Sequence, residues 1–190
     1  YEEYTTVTID TDAGNYTGTA NVEISTADPN AVIYYTLDGT TPTEASTQYT
    51  GPIAVSNTTV VRARAFNPDP LVPPSFIETN TYILNDFHSI PVVSVTGDEL
   101  PTLLGGNQIE PIGHLELLAA DGTLLAEAGG DYNEHGNDSW AYPQRGIDYI
   151  TQDEFGYGNE LHHEIFRTKD RDGYQRLIIK AAASDNYPFE

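Results

Sequence analysis

The chain of 190 residues contains no cysteine and no methionine. The absence of cysteine excludes disulfides and thiolate metal ligands, so any metal site has to use oxygen or imidazole ligands. No stretch approaches the roughly 18 apolar residues of a membrane-spanning helix, so we expect no membrane insertion. The chain shows no signal-peptide pattern and starts at Tyr1 rather than at a methionine. We therefore expect it to be a piece of a longer protein.

Basic residues are scarce. Lysine and arginine together number 8 against 29 aspartates and glutamates, which gives a formal charge of −21. Such a surface repels phosphate backbones and anionic lipids, so we expect neither nucleic-acid binding nor a membrane-surface role. The charge suits divalent cations and an extracellular setting, and its alternative role is to keep the protein soluble.

Glycine, proline and tyrosine are frequent, with 16, 12 and 13 copies, and this composition favours β-strands and turns. In residues 1–84, short alternating segments are separated by turn residues, which is the pattern of a β-sandwich. Alternation within 60–65 predicts that Val61, Ala63 and Ala65 face the core, with both arginines on the opposite face. The expected strands lie at 7–9, 20–24, 32–37, 60–65 and 81–84, and the expected turns at 12–15, 28–30, 38–39 and 67–70.

A second β-rich module is predicted over residues 85–190, joined to the first by a short linker between residues 84 and 91. The fold class is therefore mainly β, an antiparallel β-sandwich followed by a second β-rich module, with little helix. In the second module the expected strands lie at 92–95, 114–118, 124–126, 147–150, 164–167 and 176–181, and one helical turn is expected within 98–104.

Three runs of the first module form a specific motif, IYYTLDGTTPT (33–43), STQYTGPI (46–53) and VRARA (61–65). They closely resemble the fibronectin-III-like C-terminal domain of chitobiases and β-hexosaminidases, over residues 5–84. The pair Asp38-Gly39 turns the chain and Pro42 stiffens the loop, so we expect the motif residues to be structural. The resemblance implies an accessory module that accompanies catalytic or sugar-binding domains.

The second part resembles the beginning of a spore-coat CotH-type kinase domain, over residues 88–190. The matching runs are HSIPVVSV (88–95), GNDSWAYPQRG (136–146) and RLIIKAAASDN (176–186). This family is an atypical, secreted protein-kinase group whose catalytic and metal-binding aspartates lie later in the domain. The resemblance implies a kinase-derived fold, and we expect no phosphotransfer by this chain alone. Phosphoryl transfer needs a basic side chain on the phosphates, for which Lys180 is the candidate; its alternative is a solvated or paired lysine.

Acidic side chains are concentrated in two stretches of the second part. Residues 131–138 offer many oxygen ligands in what we interpret as a loop, and calcium takes six to eight oxygens from flexible loops. A second stretch at 170–173 is similar to the start of a calcium loop but lacks the closing bidentate glutamate. A solvated acidic turn is the alternative at both places. The candidate calcium ligands are Asp131, Asn133, Asp138, Asp170 and Asp172.

Aromatic residues cluster beside the first acidic stretch. The candidate platforms for a sugar are Trp140, Tyr142, Tyr132 and Tyr149, since Asn137 and Asp138 beside them could bond hydroxyls; a buried tryptophan anchoring a small core is the alternative. The pair His162-His163 does not predict a metal site, because adjacent residues on a strand point to opposite faces.

Three functions remain open on the sequence. The first is a non-catalytic module pair, secreted or on a cell surface and of bacterial origin, that spaces, docks or binds within a larger protein. The second is a fragment of a secreted CotH-like kinase. The third is a subunit of an extracellular structural polymer, formed by self-assembly. The expected partners are an extracellular protein or polysaccharide and the remainder of a longer chain.

Overall fold

A computed structural model describes residues 5–136, 145–166 and 168–180. The prediction of a mainly β chain with little helix is confirmed, since 44% of the described residues are in strands and 3% are in a helix. In the described part, no helix is long and apolar enough to cross a membrane. The helix is Leu100–Leu104 (α1), and the strands are Thr8–Ile9 (β1), Gly14–Tyr16 (β2), Ala20–Val22 (β3), Ile24–Ser25 (β4), Val32–Thr36 (β5), Thr47–Gln48 (β6), Ile53–Val55 (β7), Thr59–Phe66 (β8), Glu78–Leu84 (β9), Val92–Thr96 (β10), Ile112–Leu118 (β11), Leu124–His135 (β12), Gly146–Thr151 (β13), Leu161–His162 (β14), Gly173–Tyr174 (β15) and Arg176–Ile179 (β16).

The chain divides into two compact units. The first includes the chain up to Thr96 together with Glu116–Ala126, and the second includes Gly97–Leu115 and the residues from Glu127 onward. Strands β11 and β12 therefore contribute residues to both units. The module boundary between residues 84 and 91 stays a prediction.

A five-stranded sheet in the order β2-β9-β8-β5-β6 forms the centre of the first unit. Its long central strand β8 pairs antiparallel with β5, where Tyr35 lies opposite Ala63, and antiparallel with β9. Two small sheets, β1-β4 and β3-β7, complete the sandwich. The β-branched and aromatic residues of β5, β8 and β9 suit a pleated, half-buried surface.

The core of the sandwich lies between these sheets. Val61, Ala63 and Ala65 are each fully buried, as the alternation along β8 predicts. Their small volumes let the facing strands approach closely, and the larger side chains of the other strands fill the space. The remaining buried members of this cluster are Val7, Ile9, Ala20, Val22, Ile24, Ile33, Ile53, Val55, Tyr82 and Leu84.

The prediction of a turn at residues 12–15 is wrong for its second half. Residues Gly14–Tyr16 form strand β2, which pairs parallel with β9. Gly14 has a φ of 142°, and a Cβ there would lie 2.6 Å from the carbonyl oxygen of Gly122. The glycine that indicated a turn is instead required because another backbone approaches it closely.

The opposite face of β9 is also covered. Thr79, Thr81 and Ile83 are buried there, and Ile83 packs with Leu118 and Ala13. In this unit β10, β11 and β12 are neighbours in that order. The five-stranded sheet is therefore buried on both faces along β9, and it does not present a solvent-facing side there.

Glu116 holds this second layer to β9. Its side chain is 1% exposed and accepts hydrogen bonds from the backbone N–H of Thr81 at 3.0 Å and from the Thr81 hydroxyl at 2.5 Å. The Thr81 hydroxyl also contacts the Ser94 hydroxyl of β10 at 2.7 Å. A buried carboxylate is tolerated only when such bonds replace its hydration.

In the second unit, β12, β13 and β16 are neighbours in that order and pair antiparallel, with Asn133 opposite Asp148 and Asp148 opposite Ile178. Tyr132 and Tyr149 are fully buried on one face, with ring centroids 4.8 Å apart. Helix α1 lies within the segment predicted to contain a helical turn. The strand predicted at 164–167 is wrong, because residues 164–166 are irregular and the local strand is β14.

Replacing Glu116 with alanine should destabilise the first unit, because the buried Thr81 N–H would lose its acceptor and the Thr81 hydroxyl would keep only Ser94. We expect a loss of about 2–4 kcal/mol in the free energy of unfolding, measured by urea denaturation. Glu23→Ala, at an exposed position of the same unit, is the matched control and should change stability by less than about 0.5 kcal/mol. Equal losses in the two variants would contradict this role of Glu116.

Candidate functional site

A cleft opens in the first unit where the pairing of β5 with β6 stops. The ladder pairs Tyr34 with Gln48 and Tyr35 with Thr47. It ends there because the N–H of Ser46 donates to the Thr43 carbonyl oxygen at 2.8 Å and so turns away from β5. The resulting cavity has a volume of 360 Å³, and its lining residues are Tyr35, Thr36, Leu37, Asp38, Ser46 and Thr47.

One wall of the cleft is the turn that follows β5. Asp38 Oδ1 accepts hydrogen bonds from the Thr40 backbone N–H at 3.1 Å and from the Thr40 hydroxyl at 2.5 Å. These bonds lower the pKa of Asp38, so its carboxylate stays ionised at neutral pH. The Thr36 hydroxyl donates to the Thr40 carbonyl oxygen at 2.6 Å, and Arg62 Nη1 donates to the Gly39 carbonyl oxygen at 3.0 Å. The turn is fixed by four hydrogen bonds.

The opposite wall is fixed in a similar way. The Ser46 hydroxyl accepts a hydrogen bond from the Thr43 N–H at 3.0 Å. The Tyr49 ring packs edge-on against Tyr35 with centroids 6.5 Å apart, and its hydroxyl accepts the Ile24 N–H at 3.1 Å. Many polar atoms of the sequence motif are thus used to hold the two walls, which is the structural role expected for them.

A second cluster of polar groups lies on one face of β12, β13 and β16. Asp148 is 3% exposed, its Oδ1 lies 2.9 Å from Nδ1 of His135 in a contact without hydrogen-bond geometry, and its other oxygen is bound by Arg176. The antiparallel registers place Asn133 and Asp131 on the same face. Each oxygen of the buried Asp148 carboxylate therefore lies beside a side chain of a neighbouring strand, His135 of β12 or Arg176 of β16.

Asp131 does not lie in a loop, because residues 131–135 belong to strand β12. Its Oδ2 accepts a hydrogen bond from Gln152, and its Oδ1 is buried without a donor among the described residues. Burial raises the pKa of the Asp131 carboxyl, and the nearby charges of Glu110 and Glu154 raise it further. The ionised form of Asp131 is thus less favoured in the folded chain than in the unfolded chain.

The other candidate calcium ligands lie in different settings. Asn133 is partly buried on β12, Asp170 and Asp172 are exposed in the segment before β15, and Asp138 lies outside the described residues. Within 5–136, 145–166 and 168–180, no three histidine or acidic side chains come together as a metal site. The calcium site stays a prediction, and the alternation of β12 limits which oxygens of 131–135 can share one ion.

The remaining candidate residues are placed only in part. Lys180 follows β16 and is exposed. Trp140 and Tyr142 lie outside the described residues, whereas Tyr132 and Tyr149 are fully buried and cannot offer a ring face to a sugar. The His162 side chain contacts Glu160 at 3.1 Å, and the backbone N–H of His163 bonds the Asp172 carbonyl oxygen.

Part of the first unit is similar in sequence to a known domain family. Residues 11–72 match the family model of the chitobiase/beta-hexosaminidase C-terminal domain. This confirms the resemblance of the first segment, and the cleft lies within the matched residues. No curated protein and no solved structure matches the chain. The resemblance of residues 88–190 to a CotH-type kinase domain has no such support.

Replacing Asp131 with asparagine should stabilise the chain at neutral pH in calcium-free buffer. The wild-type carboxylate is disfavoured by burial and by Glu110 and Glu154, and the amide removes that cost. Because the folded-state pKa is raised, the gain should be full above it and should vanish below the unfolded value of about 3.9. We expect a rise in melting temperature of roughly 1–3 °C at neutral pH. Asp153→Asn, an exposed carboxylate, should give no comparable pH-dependent gain.

In the presence of calcium, the calcium-site hypothesis predicts that the Asp131 carboxylate stabilises the chain. If Asp131 ligates calcium, millimolar calcium should stabilise the wild type by roughly 1–4 kcal/mol relative to sodium at matched ionic strength, and Asp131→Asn should lose this response. The double variant Asp170→Asn, Asp172→Asn tests the other stretch. Equal melting temperatures of the wild type in the two buffers would leave only screening, and the calcium hypothesis would then be abandoned.

Proposed function

We propose that this chain is a non-catalytic element of a larger carbohydrate-active protein, in which it docks, spaces or binds polysaccharide. The observation that carries the proposal is the match of residues 11–72 to the chitobiase/beta-hexosaminidase C-terminal domain. Domains of this type are accessory to carbohydrate-processing enzymes and are not themselves catalytic. The rest of the longer protein would supply the chemistry.

The geometry of the first unit supports a binding or spacing role. The motif residues bond to one another, as Asp38 does with Thr40 and Thr43 does with Ser46, and they build a rigid turn rather than a catalytic pair. A sheet buried on both faces along β9 makes a stiff scaffold on which a small binding surface keeps its shape.

The setting of the chain is proposed to be extracellular. Domains of the matched type are usually secreted or extracellular. The formal charge of −21 suits this setting, since it keeps the protein soluble and repels anionic partners. Secretion or display at the surface of a bacterial cell, and an extracellular protein or polysaccharide as partner, complete the proposal.

A fragment of a CotH-like kinase is the second candidate, and it is supported by the position of Lys180. This basic side chain follows β16, and the alternation of that strand places it on the side of Arg176 and Ile178. A lysine at the end of a strand could reach a phosphate. Phosphotransfer would still need metal-holding aspartates, which that family carries later in its domain.

Binding without turnover is the expected outcome of an assay that measures both. The chain should be depleted from solution by at least one insoluble polysaccharide among cellulose, chitin and xylan, and should release no soluble sugar from it. With radioactive ATP and a divalent metal, it should not label itself or a protein substrate.

Labelling that Lys180→Ala abolishes, while the matched surface variant Lys169→Ala leaves it intact, would replace this proposal with the kinase. If sedimentation shows that the chain forms a polymer in a concentration-dependent manner, and no polysaccharide depletes it from solution, a structural subunit would be favoured instead. Release of soluble sugar would show that the chain is catalytic.

A further inference from the structure

The cleft beside β5 lies between two walls that are each fixed by their own hydrogen bonds. We propose that this cleft binds one neutral sugar unit of a glycan chain, an inference that rests on the proposed function and adds its binding site. The proposal depends on the size of the cavity, the chemistry of its lining and the charge around it.

The size of the cavity is that of a small-molecule site. Its 360 Å³ lies near the lower end of the range of about 300–1,000 Å³ for ligand pockets. Tyr35 and Leu37 are the apolar residues of the lining, and Leu37 is 43% exposed, so that part of its side chain is open to a ligand. A sugar ring has an apolar face of C–H groups that such surface can cover.

The polar groups of the lining complement hydroxyls. The hydroxyls of Ser46 and Thr47 each donate and accept, and the carboxylate of Asp38 only accepts. Neighbouring hydroxyls of a sugar also donate and accept, so they can pair with groups of this kind. Hydrogen bonds to a charged acceptor such as Asp38 are stronger than those between neutral groups.

The walls are fixed before any ligand arrives. Asp38 is held by Thr40, the turn is held by Arg62 through Gly39, and Ser46 is held by Thr43. A ligand therefore loses little affinity to the ordering of the site. Preorganisation of this kind suits a ligand that offers only weak individual contacts.

The charge of the cleft favours a neutral ligand over an anionic one, and a cation gains little there. Phosphates and acidic sugars would be repelled by the Asp38 carboxylate and by the net charge of −21, because no lining residue is a cation. A cationic amine would pair with Asp38, but that side chain is exposed, and an exposed ion pair contributes about 0–1 kcal/mol and is weakened by salt. A neutral sugar uses the apolar surface and all the polar groups together.

The test is a titration of the ¹⁵N-labelled chain, followed by ¹H–¹⁵N correlation spectra. The probes are cellotetraose, chitotetraose, xylotetraose and mannotetraose, with a lysine-containing tetrapeptide as the cationic comparison. We expect at least one tetraose to shift the amide signals of Thr36, Leu37, Asp38 and Thr47, with a dissociation constant unchanged by salt.

Two variants and two matched controls locate the site. Asp38→Asn keeps an oxygen for the Thr40 bonds but removes the charge, and Leu37→Ser removes apolar surface; each should weaken binding about tenfold. Asp69→Asn and Leu71→Ser are the controls. Asp69 is exposed and accepts the Leu71 N–H at 2.9 Å as Asp38 accepts that of Thr40, and Leu71 is 82% exposed. Both controls should bind like the wild type.

Three results would overturn the cleft as a sugar site. These are no shifts with any tetraose, shifts that the cleft variants leave unchanged, or salt-sensitive binding of the peptide alone. If the chain is still depleted by an insoluble polysaccharide, the proposed function survives and only the location of the site is wrong. If neither the polysaccharides nor the tetraoses bind, the binding role fails as well.

Discussion

The burial of strand β9 on both of its faces is the constraint on which the first unit depends. One face, with Tyr82 and Leu84, packs into the sandwich core, and the other carries Thr81, whose polar groups need partners. Glu116 supplies them, and the Thr81 hydroxyl continues the network to Ser94. Because a buried carboxylate without these bonds would be costly, the network fixes the position of the second layer against the sheet.

The cleft is a consequence of how the sandwich ends rather than of the core. Strand β6 has two residues, and just before it the N–H of Ser46 bonds the Thr43 carbonyl oxygen instead of β5. The edge of β5 is left open beside the Asp38 turn. Open edges invite pairing with other chains, and here the shortness of β6 and the charge of Asp38 limit that risk while leaving room for a small ligand.

The strands and the core of the sandwich could be predicted from the sequence because alternation along β8 is local information. The role of Gly14 could not, since its requirement comes from Gly122, which is far along the chain. The sequence indicates a loop at Asp131 because polar and acidic residues follow one another there, whereas the strand depends on pairing with β13, which is distant in the sequence. The cleft could not be predicted, because the sequence does not indicate at which residue the pairing of β5 with β6 stops. Its lining residues also belong to a motif that predicts only a structural turn.

The proposed binding of a neutral glycan in the preformed cleft of the sandwich can be measured on the whole chain. Native affinity electrophoresis of the whole chain, in gels with and without a soluble polysaccharide such as hydroxyethyl cellulose, xylan or glycol chitin, tests it most directly. The double variant Asp38→Asn, Leu37→Ser should migrate alike in both gels, while the double control Asp69→Asn, Leu71→Ser should be retarded like the wild type. Equal retardation of both double variants, or of none of the proteins in any polysaccharide, would contradict the account.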